Sequence, residues 1–518
     1  MYIVGGGVLV RCMLALLGAV SAIHIADAQM DVAPVVIPPS KLLHFDSPIR
    51  IPNRYMVKFK DDKALATDVS ARNAADMKIA PSMLPDSEAN IKWLANSISI
   101  AYQQKEGKTN AILGVWTRPG GRGFGVEGIS ESDIAELAHD PRVEFVEPDM
   151  YAQASQTTVQ IQSTGKPNCS GKCAPWHLDR LDQRSGLDGL YHYEATGQVY
   201  VNVIDTGVQF GHSEFSNING SANEGIYDCT NILGCNSISG SYNNYDCNGH
   251  GTAVASVLAG VTFGVAKGPV RLLNGLRASP PADCSLKLTA TAIVNAIQYS
   301  DGGPDWNALT GVVINMSFIF QGVNTIVDQS TNQAIDDGIT VVVAAGNATN
   351  GIGNGSDACN FTPAHNSRAI RVASVDINDT RVPDSNYGPC IDIFAPGGSI
   401  LSADNGGALY NGTACAAAFP NTTATCFLAG TSFATPIVSG IAALYLQNNP
   451  SASPATVKSV ILANATAGVV QNAGAGSPNL LAYVGVPGND SVGVVGGGGG
   501  GVVPANIVSS IIDTLLLQ

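Results

Sequence analysis

The sequence predicts an α/β fold: a mostly parallel sheet with helices on both faces, preceded by a small α+β domain. Three observations predict it. Short, apolar, β-branched runs alternate with helical stretches along most of the 518 residues, as buried parallel strands and their crossover helices require. Charge density also breaks. Residues 29–150 hold 31 charged side chains in 122 positions, whereas residues 151–518 hold 35 in 368. Finally, every cysteine except Cys12 lies after that break. Two separately folded units, joined near Tyr151–Gly165, account for all three.

The chain opens on a secretory leader, residues 1–28. Arg11 supplies positive charge, Met13–Ile23 an apolar run, and Ala26-Asp27-Ala28 a small-x-small cleavage site. The run is too short for a bilayer, which needs about 20 residues. In the first domain, residues 29–155, Arg54–Phe59 alternates as a strand and Ala66–Met77 suits a helix. Ser130-x-x-Asp133 reads as a capping box leading into a helix over Ile134–His139, and Arg142–Val146 reads as a strand.

The second domain, residues 156–484, carries strand candidates at Val199–Ile204, Val312–Met316, Thr340–Ala344, Ile370–Val375 and Ile391–Phe394. Its helix candidates are Gly251–Ala259, Thr289–Tyr299, Thr331–Asp336, Phe433–Asn448 and Ala455–Ala465. A Gly-rich tail, residues 485–518, follows. Its apolar end, Ile507–Leu517, contains Asp513 and is short for a span, so a released product is expected.

Composition excludes two classes. With 45% hydrophobic and only 13% charged residues, the chain is not intrinsically disordered. A net charge of -14 repels phosphate and argues against nucleic acid. Ten cysteines remain once the leader is gone: Cys169, Cys173, Cys229, Cys235, Cys247, Cys284, Cys359, Cys390, Cys415 and Cys426. An even number in a secreted chain implies disulfides, with Cys415 and Cys426 placed to close a local loop and the other pairings open. Cys169 and Cys173 lack a second nearby ligand pair, which argues against zinc. Asn219, Asn411, Asn421 and Asn464 begin glycosylation triplets.

Four segments carry chemistry. Asp205 ends an apolar strand, where ligands of open parallel sheets bind. His250 lies between two glycines that permit close approach. Asn347 follows the strand run VVVAAG, its amide available as a donor. Ser432 opens a long apolar helix, where free N–H groups and the helix dipole favour negative charge. Each has an ordinary alternative: a turn Asp, a surface His, a turn Asn, an N-cap Ser. Together they are the parts of one reaction. A serine hydroxyl needs a base, a neutral imidazole serves near pH 7, the imidazolium needs a carboxylate, and the tetrahedral oxyanion needs a preorganised donor.

These blocks resemble the subtilisin-like serine proteases (subtilases, peptidase family S8), most nearly the proteinase K branch. The order Asp205, His250, Ser432 is the family's, and so are DTG at 205–207, HGT at 250–252, GTSxATP at 430–436 and AAGN at 344–347. INMS at Ile314–Ser317 resembles the strand beside the substrate cleft, and NLLAY at Asn479–Tyr483 the proteinase K end. PRVEFVEPD at Pro141–Asp149 resembles the end of an inhibitor I9-type propeptide.

The resemblance implies a subtilisin-like fold and a secreted serine endopeptidase that works through an acyl-enzyme. It would be made as a zymogen that cuts itself between about Tyr151 and Thr158. It implies a triad of Asp205, His250 and Ser432, with Asn347 in the oxyanion hole. Substrate would lie as an added strand against Ser317, Phe318, Ile319, Ala345 and Gly346. The chemistry would need no cofactor, while Asp392 would match a structural calcium ligand. The partners implied are protein or peptide substrates and the chain's own propeptide, for an extracellular monomer with no membrane span. A vacuolar or lysosomal lumen is the other oxidising destination. The alternative is a secreted pseudoprotease that binds peptides without cutting them. Departures from the family pattern are Ala253, Ser256, Phe433 after the nucleophile, and Phe318-Ile319-Phe320 where the family has Leu-Gly-Gly. The last set bulk where glycines normally leave room for substrate.

Overall fold

The computed structural model describes residues 41–60, 111–117, 120–140, 142–154, 173–195, 197–216, 246–268, 270–274, 288–300, 311–348, 353–407 and 421–485, with a few isolated positions between. These residues belong to one compact unit. The leader, the Ala66–Met77 segment and residues 486–518 lie outside the described residues.

The fold is α/β, as expected. Eight strands lie in the order Thr466–Ala467, Leu480–Leu481, Ile393–Pro396, Ile370–Val375, Thr340–Ala344, Val312–Met316, Val199–Ile204 and Val270–Asn274. All neighbours pair in parallel except the first two. Side chains alternate between the faces, so one strand feeds two cores. Val313 packs with Val254, Phe433 and Ile437 on one face. Val312, Ile314 and Met316 pack with Ile293, Ile297 and Ile326 on the other. Helices His250–Ala259 and Thr431–Asn448 cover the first face, and Ala290–Ser300 and Thr325–Asp336 the second. Burying each such Val or Ile contributes roughly 1.5–3 kcal/mol. Thr431–Asn448 is buried almost all round, which explains why its sequence carries no polar stripe.

Four of the five strands expected here begin and end where the sequence placed them. The fifth starts two residues late, at Ile393, because Asp392 turns into an ion pair. Val270–Asn274 was not expected. The helix placed at Thr331 starts at Thr325. Its first turns, TIVDQST, are β-branched and polar and so weak helix formers. They are held by caps instead: Asn324 Oδ1 accepts from the Val327 N–H at 3.0 Å, and Glu147, from a distant part of the chain, accepts from the Ile326 N–H at 2.8 Å.

The N-terminal segment builds a second, antiparallel sheet. Arg50–Phe59 lies between Gly123–Glu127 and Val143–Ala154, and Ala111–Trp116 pairs on the far side of Gly123–Glu127. Ser130 caps helix Glu131–Leu137, accepting from the Asp133 N–H at 3.2 Å. The sheet packs on the helices that cover the second face, with Met56, Trp116, Phe145 and Met150 sharing their core. Gly125 faces helix Ala290–Ser300 closely enough that a Cβ would sit 2.6 Å from Thr291 Cγ2.

The strand Val143–Ala154 runs eight residues past the expected end. Its last residues leave their own sheet and pair antiparallel with two pieces of the larger domain. Tyr151 and Ala152 face Thr289 and Leu288, while Gln153 and Ala154 face Ile319 and Phe318. Thr157 and Thr158 then pair with Ala429 and Leu428, one strand short of Ser432. Among the described residues no helix is long and apolar enough to cross a membrane.

Candidate active site

Asp205 follows the last residue of strand Val199–Ile204 and is buried. His250 is the first residue of helix His250–Ala259. Gly249 enters that helix at φ 102°, a conformation that costs a residue with a Cβ. Gly251 packs on the turn after Asp205, where a Cβ would overlap the Gly207 carbonyl and sit 3.1 Å from Asp205 Cβ. The two glycines therefore bring the histidine to the carboxylate. His250 Nδ1 and Asp205 Oδ1 are 2.7 Å apart, and the Thr206 N–H also donates to Asp205 Oδ1, at 2.7 Å.

Ser432 is the second residue of helix Thr431–Asn448, entered through Gly430 at φ 128°. Its hydroxyl donates to the Ser317 carbonyl at 2.9 Å, and the Ser317 hydroxyl donates back to the Ser432 carbonyl at 3.0 Å. The next ring, Phe433, lies edge-on to His250 with centroids 5.9 Å apart. The imidazole thus lies at the N-terminus of the serine's helix. Its Nε2 is buried with no hydrogen-bond partner.

Asn347 closes the group. Its Oδ1 accepts from the Thr431 N–H at 3.1 Å and from the Thr431 hydroxyl at 2.8 Å. That fixes the amide, and its Nδ2 is left buried and unpartnered. An unsatisfied buried donor costs about 1–3 kcal/mol. These contacts bring Asp205 to His250, and both His250 and Asn347 to the start of the Ser432 helix, with the strand Val143–Ala154 paired to Phe318 and Ile319 and residues 157–158 paired to Leu428 and Ala429.

The profile of the subtilase family matches residues 196–484. The chain is a subtilase. It is therefore a serine-type endopeptidase, a hydrolase. It is 36% identical over 451 residues, covering 85% of this chain and 92% of the relative, to an extracellular serine proteinase of Thermus sp. (strain Rt41A). It is 31% identical to alkaline serine exoprotease A of Vibrio alginolyticus, over 89% of this chain and 72% of the relative. The crystal structure of fervidolysin from Fervidobacterium pennivorans shares the fold, with TM-score 0.59 at 18% identity over 86% of this chain and 62% of that one.

This subtilase uses residues near the site that sequence reasoning missed. Asp246 is buried, and burial raises its carboxyl pKa against the pull of the hydrogen bonds it accepts from Gly249, Thr252 and Thr206. Those bonds are the Gly249 N–H at 2.9 Å, the Thr252 N–H at 2.9 Å and hydroxyl at 2.7 Å, and the Thr206 hydroxyl at 3.0 Å. Thr206 Oγ1 in turn accepts from the Gly251 N–H at 2.9 Å. Asp246 therefore clamps the turn after Asp205 to the start of the His250 helix. Its signal in the sequence is an Asp four residues before a His flanked by glycines.

The expected substrate wall takes an unexpected form. Ser317, Phe318 and Ile319 are buried, and so is Ala345. Ile319 shares a core with Ala345, Ala364 and Ala373. Gly346 adopts φ 88°, and a Cβ there would lie 2.5 Å from Ile319 Cδ1.

Asp392 requires correction. Arg371 Nη2 reaches Asp392 Oδ1 at 2.8 Å, Arg371 Nε reaches Oδ2 at 2.9 Å, and Lys458 Nζ reaches Oδ2 at 2.7 Å. Burial raises its pKa, but these two cations outweigh that and hold the carboxyl below its usual range. Two positive groups already neutralise this carboxylate and would repel a calcium ion, so Asp392 is a structural ion pair. Among the described residues, no cluster of three or more His, Cys, Asp or Glu side chains is arranged to hold a metal.

The disulfide expectation fares better. Cys359 and Cys390 are joined, and Cys173, Cys247 and Cys426 are disulfide-bonded as well. Cys415 lies outside the described residues.

Proposed function

We propose that this subtilase is a secreted endopeptidase of the proteinase K branch, acting through a triad of Asp205, His250 and Ser432. It is made as a monomeric zymogen whose I9-type first domain, residues 29–155, inhibits the catalytic domain until it is cut away. Its substrates are extended stretches of other proteins, and its partner before maturation is its own propeptide. Release outside the cell accords with the leader and with the extracellular relative from Thermus.

One observation carries the reading. The buried His250–Asp205 hydrogen bond of 2.7 Å sits at the N-terminus of the Ser432 helix, beside an amide donor with nothing to bind. For the reaction, Ser432 Oγ turns from the Ser317 carbonyl to His250 Nε2. It gives up its proton there as it attacks the substrate carbonyl carbon. Asp205 holds the ring and stabilises the imidazolium. The carbonyl oxygen takes the developing negative charge, and Asn347 Nδ2 is the donor that meets it. Collapse breaks the C–N bond, and His250 returns the proton to the leaving amine. Water then repeats the sequence on the acyl-serine, releasing the acid and restoring Ser432. Every proton and charge is handled by side chains, so no cofactor enters.

The chain's own path supports self-cleavage. Pairing on the acyl side ends at Ala154 and resumes on the leaving side at Thr157, so the cut is expected between Ala154 and Thr157. The test is secretion of the wild type beside Ser432→Ala. The wild type should hydrolyse denatured casein and begin within residues 155–157. The variant should be inert and stay joined to residues 29–155. A variant processed at the same bond would overturn self-cleavage, and an inactive, folded wild type would overturn the protease reading.

A further inference from the structure

We infer that Ile319 makes this protease selective for small residues (Ala, Ser, Gly) on the acyl side of the bond it cuts. The inference rests on the proteolytic reading above and names the substrate class of that same site.

The argument starts from the oxyanion donor. A carbonyl bound at Asn347 Nδ2 belongs to the acyl-side residue, whose side chain is two bonds away. It must therefore enter the space beside Asn347. Two pieces of chain bound that space: Ala345-Gly346, leading into Asn347, and Ser317–Ile319, along which Gln153 and Ala154 already pair. Ile319 reaches from one wall to the other. The side chain is 2% exposed and sits in the core with Ala345. Its Cδ1 and Cγ2 lie 2.5 and 3.1 Å from where a Gly346 Cβ would be. Gly346 thus has an isoleucine against it, and the opposing wall has no glycine to yield.

Yielding is also costly. Ile319 is β-branched and rotamer-poor. It sits in a core with Ala345, Ala364 and Ala373, while Asn386 Nδ2 holds the second wall by donating to the Ala345 carbonyl at 2.9 Å. Forcing a large side chain into a filled, well-packed space costs enough to lower the rate about 10–100-fold.

The test is read on the purified, mature wild type first. Its cuts in reduced insulin B chain are mapped by mass spectrometry. Values of kcat/KM are measured on succinyl-Ala-Ala-Pro-X-p-nitroanilides with X as Ala, Leu or Phe. Cuts after Ala, Ser and Gly, and a rate for Ala at least about tenfold above Phe, are expected. Cuts clustered after Phe, Tyr or Leu overturn the inference. Absence of any cut overturns the proteolytic reading itself. Ile319→Gly, with Ile319→Ala as the gentler change to the core, should raise the Phe-to-Ala ratio at least about tenfold. A ratio unchanged in a folded, cleaving variant also overturns the inference, because Ile319 would then not be the wall that discriminates.

Discussion

Asn347 shows how much a single side chain is held in readiness. Both donors of Thr431 grip its carbonyl oxygen, and the amide nitrogen they orient binds nothing. Asn347→Leu keeps the volume and removes the donor. We expect kcat to fall about 10²–10³-fold with KM nearly unchanged, the loss found when one oxyanion donor is removed from subtilisin. Steady-state kinetics check it, and a variant whose KM rises while kcat holds would assign Asn347 to ground-state binding instead. Phe433 is the other residue of note at this scale. It stands after the nucleophile where the family pattern has Met, and its ring packs edge-on to His250, so the added bulk supports the imidazole. The grip of Thr431 on the Asn347 oxygen could not be read from the sequence, because the two residues are 84 positions apart.

Elements meet most tightly where the N-terminal sheet docks. Its strand Val143–Ala154 sets two carboxylates at two helix N-termini. Glu147 accepts from the Thr325 and Ile326 N–H groups at 3.2 and 2.8 Å, and Asp149 accepts from the Thr291 N–H at 3.1 Å. These are the orphan donors that every helix start must satisfy, and here the N-terminal sheet satisfies them.

The docking carries a pH dependence. Burial pushes Glu147 up to about 8, against the pull of the Ile326 and Thr325 N–H groups, while Asp328 and Asp149 push it further up. His44, which precedes the first strand of that sheet, also faces it, its Nε2 3.9 Å from Glu147 Oε2. Once released, the carboxyl returns towards 4.5. The docked form therefore holds a proton that the free form gives up. Docking gains fully from this below about pH 4.5 and loses it as pH rises through 8, each unit of difference amounting to about 1.4 kcal/mol. Release of the cut N-terminal domain from the freshly processed protease, followed by size-exclusion chromatography, should quicken from pH 6 to pH 9. In Glu147→Gln that rise should flatten. A wild type whose release slows with rising pH would reverse the sign and sink the account.

At the scale of the whole molecule, the cross-links set how much disorder unfolding can gain. Cys359 and Cys390 close a loop of 31 residues around strand Ile370–Val375 and the Asn386 loop behind Gly346. In the chain-entropy account such a loop contributes about 3–4 kcal/mol. The double variant Cys359→Ser, Cys390→Ser should melt several degrees lower by calorimetry while keeping its cleavage preference. An unchanged Tm would show that packing alone sets the stability of this region.

The sequence by itself determined the parallel sheet and the inventory of reactive groups. Val199–Ile204, Val312–Met316, Thr340–Ala344 and Ile370–Val375 are buried on both faces, and β-branched apolar runs have no other stable place. Asp205, His250, Asn347 and Ser432 were legible because glycines and strand ends set them apart locally. The tertiary structure alone decided what those groups face. Glu147 capping a helix 178 positions away, Asp392 held by Arg371 and Lys458, and Ile319 lodged against Gly346 all depend on partners distant in sequence. Local propensity and periodicity report only how a segment suits its own backbone. They say nothing of which buried charge or methyl group the folded chain will bring against it.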